Sequence, residues 1–257
     1  MIPRKMGLTK IVKIWSANCM SGEVSECLLF VTRIIDDYYG QLGVGSERVV
    51  HNLPKVCSFN IVVKQVSCGE EHTVFVSGEG GYVYAMGSNA DGKLGINNQK
   101  MKQCNVPTLV EGIFNVKQVS CGMSHTLAVT EKGEAYSWGQ SFYGALGLSS
   151  KATSTQAIEN QFRPILVSAL KNETVDIVEA GSRHSVFVTL QNKVYSCGDA
   201  NQGQLGLGTG LQDRVMCPTE IEAIRGIKIK QVCCGKFHTL ILTDQGEIWA
   251  CGANNFG

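Results

Sequence analysis

Long apolar runs are missing from this chain, and their absence removes two classes at once. No stretch approaches the roughly 18 residues that a membrane-spanning helix needs, and the N-terminus lacks the apolar core of about 7 to 15 residues that marks a secretory signal. The expectation is an intracellular protein, cytoplasmic or nuclear, without membrane contact. An excess of either charge is missing too: 23 Lys and Arg stand against 22 Asp and Glu, a net charge of +1. A general polyanion binder carries a strong basic excess. One local bias exists, with Arg4, Lys5, Lys10 and Lys13 ahead of the first acidic residue, Glu23. A solvated terminus is expected there, with nucleic acid or chromatin contact as the lesser alternative.

Catalytic and metal-binding arrangements are equally absent. The eleven cysteines are odd in number and include no Cys-x-x-Cys pair, so neither a disulfide framework nor a four-ligand zinc site is expected. No Gly-x-x-x-x-Gly-Lys-Ser/Thr loop follows a strand, and no Gly-x-Gly-x-x-Gly opens a helical pattern. The vicinal Cys233 and Cys234 read as strand neighbours on opposite faces. Asp36 and Asp37, beside Tyr38 and Tyr39, read as a solvated loop.

Glycine is plentiful, at 29 residues, and it is spaced. Cys68-Gly69-x-x-His72, Cys121-Gly122-x-x-His125, Gly181-x-x-His184 and Cys234-Gly235-x-x-His238 recur with His-to-His steps of 53, 59 and 54 residues. Each His is followed by an aromatic and then a Gly three positions on: Tyr84 and Gly87, Tyr136 and Gly139, Tyr195 and Gly198, Trp249 and Gly252. A Gly-x-Leu-Gly turn comes next at Gly92, Gly144 and Gly203, with a further copy at Gly40 to Gly43; prolines 54, 107, 164 and 218 punctuate the intervals. A repeat of this length is one supersecondary unit that cannot bury a core alone.

Within one repeat, Val116 to Ser120 alternates, His125 to Thr130 is apolar and β-branched, Glu134 to Trp138 gives a third strand, and Thr108 to Val110 a shorter fourth. Four antiparallel strands per repeat is a propeller blade. Ala180 replaces the cysteine in the third copy, which argues against a repeated Cys/His metal site. Four equivalent histidines argue for structure, because catalysis needs one. Each is expected to bond a neighbouring backbone turn.

These motifs, with Asn201-Gln202-Gly203-Gln204-Leu205-Gly206 the cleanest stretch, resemble the regulator-of-chromosome-condensation repeat family. The resemblance covers residues 36 to 257 and implies an all-β fold: a partial seven-bladed-type β-propeller of four-stranded antiparallel blades, its ring not closed by this chain. The repeats run about 54–95, 107–147, 164–206 and 218–257, the last truncated, after a degenerate segment or partial blade at 1–35 in which Cys27 to Thr32 is a candidate strand. Such a chain is expected to be a fragment, an alternative product or an incomplete gene model, unless a partner chain completes the ring.

The resemblance implies a protein-interaction scaffold whose partners are other proteins, such as a small GTPase or a ubiquitin-pathway component. The alternative is a guanine-nucleotide exchange factor for a Ran-like small GTPase; neither reading calls for a cofactor, a metal or a catalytic residue. A photoreceptor role built on clustered tryptophans is disfavoured, since only Trp15, Trp138 and Trp249 are present. Gly69, His72, Gly122, His125, Gly181, His184, Gly235 and His238 are expected to be structural anchors. Partner contacts are expected just before each Gly-x-Leu-Gly, from Asn89, Asp91, Phe142, Tyr143, Asp199, Asn201 and Gln202, with Phe142 and Tyr143 the most interface-like. The long polar linker from Gly147 to Pro164 is a second candidate, as a partner loop or phosphorylation target.

Overall fold

The computed structural model describes residues 38–43, 45, 60–149, 159–209 and 213–255. The basic segment Arg4 to Lys13, the candidate strand Cys27 to Thr32, Asp36 and Asp37, Pro54 and most of the polar linker after Gly147 lie outside the described residues.

Each repeat builds one antiparallel sheet whose strands are neighbours in sequence. The first sheet holds β1 (Val63–Cys68), β2 (His72–Ser77), β3 (Val83–Ser88) and β4 (Gln103–Leu109). The second holds β5 (Val116–Cys121), β6 (His125–Thr130), β7 (Ala135–Gly139) and β8 (Gln161–Leu166). The third holds β9 (Val175–Ala180), β10 (His184–Thr189), β11 (Val194–Asp199) and β12 (Arg214–Glu220). The fourth holds β13 (Ile229–Cys234), β14 (His238–Thr243) and β15 (Ile248–Gly252). Helix among the described residues is confined to three single 3-10 turns, Ala90–Gly92, Ser168–Leu170 and Glu222–Ile224.

The fourth strand differs from the sequence expectation. It runs Gln103–Leu109, starts ahead of Pro107, and pairs with β3, so the proline-bearing strand closes the sheet that precedes it in the chain. Proline is tolerated because this is the outermost strand of the sheet order and the ladder slips beside it, between Ala85 and Gly87. β8 and β12 repeat both features around Pro164 and Pro218.

The sheets stack face to face, and the period-2 alternation of strands decides which neighbour each side chain meets. On β2, Val74 and Val76 join Val119, Cys121, Ala128 and Trp138 of the second sheet, while Phe75 turns the other way to Val63 and Met86. On β6, Leu127 and Val129 face Val178 and Phe187 of the third sheet. On β10, Val186 and Val188 face Val232 and Ile241 of the fourth. The second strands β2, β6 and β10 are therefore buried at every position. Full burial of a Phe187-sized side chain is worth about 1.5–3 kcal/mol, so the core lies between sheets rather than within one. On the far face of the fourth sheet His238, Leu240 and Ile248 are exposed, and Trp249, on the face of Ile241, is exposed too. The architecture is all-β, with successive propeller blades that do not close a ring among the described residues.

Candidate functional site: the loop face of the stacked sheets

The strand directions put every Cys-Gly-x-x-His turn and every Gly-x-Leu-Gly turn at one end of the sheets, and the β2–β3 hairpin and its equivalents at the other. What holds the first end together is a relay repeated between consecutive sheets. His72 Nε2 lies 3.0 Å from Thr126 Oγ1 in the next sheet, and that hydroxyl donates to the Lys93 carbonyl at 2.9 Å. His125, Ser185 and the Ala145 carbonyl repeat it at 2.9 and 2.6 Å, and His184, Thr239 and the Gln204 carbonyl at 2.9 and 2.8 Å. Because each hydroxyl spends its proton on a carbonyl, the imidazole must donate through Nε2–H. The histidine thus reaches the backbone turn through a side chain of the following repeat, and not directly as the sequence suggested. Two strands add a second bridge: the Gln65 amide exchanges two bonds of 2.8 Å with the Val119 backbone, and Gln118 does the same to Val178 at 3.1 and 3.2 Å.

The anchor glycines serve the same contact. A Cβ on Gly69, Gly122, Gly181 or Gly235 would collide with Cε1 of the histidine three residues later. Only a bare Cα lets the imidazole lie flat on the turn. Gly87, Gly139 and Gly198 instead have φ of 106°, 104° and 120°, where other residues are strained.

Burial sets the ionisation of this layer. Desolvation, with Lys93 and His125 adding repulsion, holds His72 well below the ordinary imidazole range, and its Nδ1 has no partner. Burial lowers His125 to about 3 and His184 to about 4. All three are neutral at physiological pH and, with pKa values lowered far below it, weak proton acceptors, which suits a structural donor better than a general base. Burial also pushes the Cys121 thiol up to about 12 and raises that of Cys197, so these thiols pack as small apolar groups. No group of three or more His, Cys, Asp or Glu able to hold a metal occurs among the described residues.

The residues singled out before the Gly-x-Leu-Gly turns fall into two sets. Asn89 is buried and its amide donates to the Asn98 and Met101 carbonyls, both at 2.9 Å. Asp199 is buried too and accepts from the Asn201 amide and side chain at 3.0 and 2.8 Å. Asp91 ties sheets together, accepting 3.0 Å bonds from Gln140 and Asn160. Asn201 and Gln202 are exposed. Phe142 is 63% exposed and meets Tyr143 edge-on, with ring centroids 5.0 Å apart. Beside them opens a cleft of about 590 Å³, lined by Gln99, Gln140, Phe142, Glu159, Phe162 and Arg214 among others.

A family model described as RCC1-like domain matches residues 36–257. The chain belongs to the RCC1-like family. Among its relatives, the ultraviolet-B receptor UVR8 of Arabidopsis thaliana is 34% identical over 222 residues, covering 85% of this chain and 48% of the receptor. The probable E3 ubiquitin-protein ligase HERC4 of Rattus norvegicus is 35% identical over 273 residues, covering 85% of this chain and 25% of the ligase. The chain therefore spans about half or less of the length of these relatives. Among solved structures, human WBSCR16 aligns with TM-score 0.70 at 24% identity over 82% of this chain and 54% of that one. Yeast RCC1 (Prp20), bound to Kap60, aligns with TM-score 0.69 at 22% identity over 80% and 47%. At such identities the structures support the RCC1-like fold itself.

The anchors of the RCC1-like repeat do not mark the two arginines of the loop face. Arg183 fills the position before the anchor histidine, where the other copies carry Glu71, Ser124 and Phe237. Its guanidinium lies 4.2 Å from the Tyr143 ring centroid. Arg214 begins β12, donates to the Phe142 carbonyl at 2.6 Å and lies 5.0 Å from that ring centroid. The variability at 183 beside a fixed His was a usable signal; Arg214, at a strand start, had none.

Proposed function

We propose that this RCC1-like chain is a protein-interaction scaffold that engages its partner with the loop face around Phe142 and Tyr143. The observation that carries the reading is the 63% exposure of Phe142 beside a cleft of about 590 Å³, with its backbone tied down by Arg214. Exposed aromatics on rigid supports bind at low entropic cost, and Tyr, Phe and Arg are enriched at interfaces. Histidines locked neutral in the sheet contacts hold the loops of that face in place. Relatives such as HERC4 carry the domain within far longer chains, which supports a recognition module.

The test compares proteins co-purified from cells with the wild-type chain and with Phe142→Ala/Tyr143→Ala, after thermal melting confirms that both fold. Specific loss of a co-purified protein from the double variant is expected; identical sets overturn the reading. The alternative is nucleotide exchange on a Ran-like GTPase, and it draws on the likeness to yeast Prp20, described with its binding to Gsp1p and histones. Release of fluorescent GDP from such a GTPase, accelerated by the folded chain, decides for exchange over a passive scaffold.

A further inference from the structure

The loop face carries two guanidiniums that no carboxylate pairs with among the described residues. At the register position before the anchor histidine, Glu71 of the first repeat is paired with buried Lys93 at 2.9 Å. Arg183 occupies the same position in the third repeat and makes no ion pair among the described residues, where its buried Nε also has no hydrogen-bond partner. Arg214 gives one donor to the Phe142 carbonyl and makes no ion pair among the described residues either. Each is held by an aromatic ring instead of a carboxylate, and the two rings touch. The order is Arg183, Tyr143, Phe142, Arg214, with links of 4.2, 5.0 and 5.0 Å, so the guanidiniums lie within about 14 Å of each other. Stacking fixes an arginine's position while leaving its in-plane donors free, and those donors match a carboxylate in a bidentate fork.

The geometry points to an acidic segment of a partner protein as the ligand of this cluster, seated in extended conformation with an apolar side chain between two carboxylates. An extended chain advances about 3.3 Å per residue and turns alternate side chains to one side, so carboxylates at i and i+4 span about 13 Å, inside the upper limit on the guanidinium separation, with i+2 between them. Those two carboxylates reach Arg183 and Arg214, and the side chain at i+2 lies on Phe142. A nucleic acid fits less well. Glu159 lines the cleft, the net charge is only +1, and two arginines make a short electrostatic footprint. This inference rests on the scaffold reading and narrows it to one partner chemistry.

The test is fluorescence anisotropy of the full chain with a labelled 11-residue peptide containing Glu-Ser-Leu-Ser-Glu. Two controls accompany it: the same peptide with both Glu replaced by Gln, and an 11-nucleotide single-stranded DNA. Binding of the acidic peptide is expected, at least about tenfold tighter than the Gln peptide and weakened at least about tenfold by Arg214→Gln, which sits at the rim. Arg183→Gln is the second variant, read only if its melting matches wild type. Equal affinity for both peptides, tighter binding of DNA, or unchanged binding by Arg214→Gln overturns the proposal. So does sedimentation showing that a second copy of the chain occupies the face. If the Phe142/Tyr143 variant still loses a cellular partner while the acidic peptide does not bind, the scaffold reading stands and this inference fails.

Discussion

His72 of the first sheet and Thr126 of the second share one hydrogen bond of 3.0 Å across the space between blades. The same pair type recurs as His125 with Ser185 and His184 with Thr239. Each histidine belongs to one repeat and its partner to the next, so the motif that marks a repeat in the sequence is a device for joining repeats.

Thr126→Val removes the relay hydroxyl while keeping the shape. It leaves the buried His72 Nε2–H without an acceptor, and the Lys93 carbonyl keeps only the Trp138 indole at 3.0 Å. A loss of about 1–3 kcal/mol in urea-melt stability is expected. A change within error would mean that the relay contributes nothing.

Gly122→Ala and Gly112→Ala separate the two uses of glycine. The first drives a Cβ into the His125 ring and toward the Gly181 carbonyl, while the second, at φ +82°, meets nothing within 4 Å. Gly112→Ala should lose about 1–2 kcal/mol from backbone conformation alone. Gly122→Ala should lose more, because imidazole and backbone must both shift. Equal losses in parallel denaturation curves would refute the close-approach role.

Acid should unfold the protein earlier than its carboxylates alone require. His125 and His184 have folded pKa values of about 3 and 4 against an ordinary 6.5. The unfolded chain therefore binds protons first as pH falls. Their contribution is fully present above 6.5 and declines through the folded values at about 1.4 kcal/mol per pH unit for each histidine. At pH 5 the two together should have cost about 4 kcal/mol. A urea midpoint unchanged between pH 7.5 and 5 would contradict the neutral buried imidazoles.

Thiol labelling should follow burial. Cys233 is exposed, whereas Cys104, Cys121 and Cys197 are buried. Mass spectrometry of the native protein under iodoacetamide should find Cys233 alkylated well before those three. Comparable rates would mean that the blade contacts open readily.

Much of the fold was legible because its determinants are local and repeated: the Gly69, Gly122, Gly181 and Gly235 anchors, the apolar second strands and the Gly-x-Leu-Gly turns all lie within one repeat. The phase of the outer strand was harder. Pro107 looks like a boundary in sequence, yet β4 pairs backward onto β3, and strand pairing leaves no mark on composition. The site was half legible. Phe142 and Tyr143 stood out as aromatics in a turn, but Arg214 meets the first and Arg183 the second only through the stacking of the second and third sheets. Asn89 and Asp199, alike in type to exposed loop residues, are buried as clamps on their own loops.

The most direct test of the account places a photo-cross-linking phenylalanine at position 142, and in a second protein at position 114, an exposed residue at the opposite end of the sheets. In cells, position 142 should give a discrete protein adduct that position 114 does not. No adduct from 142, or the same adducts from both positions, would contradict the assignment of the loop face as the partner surface.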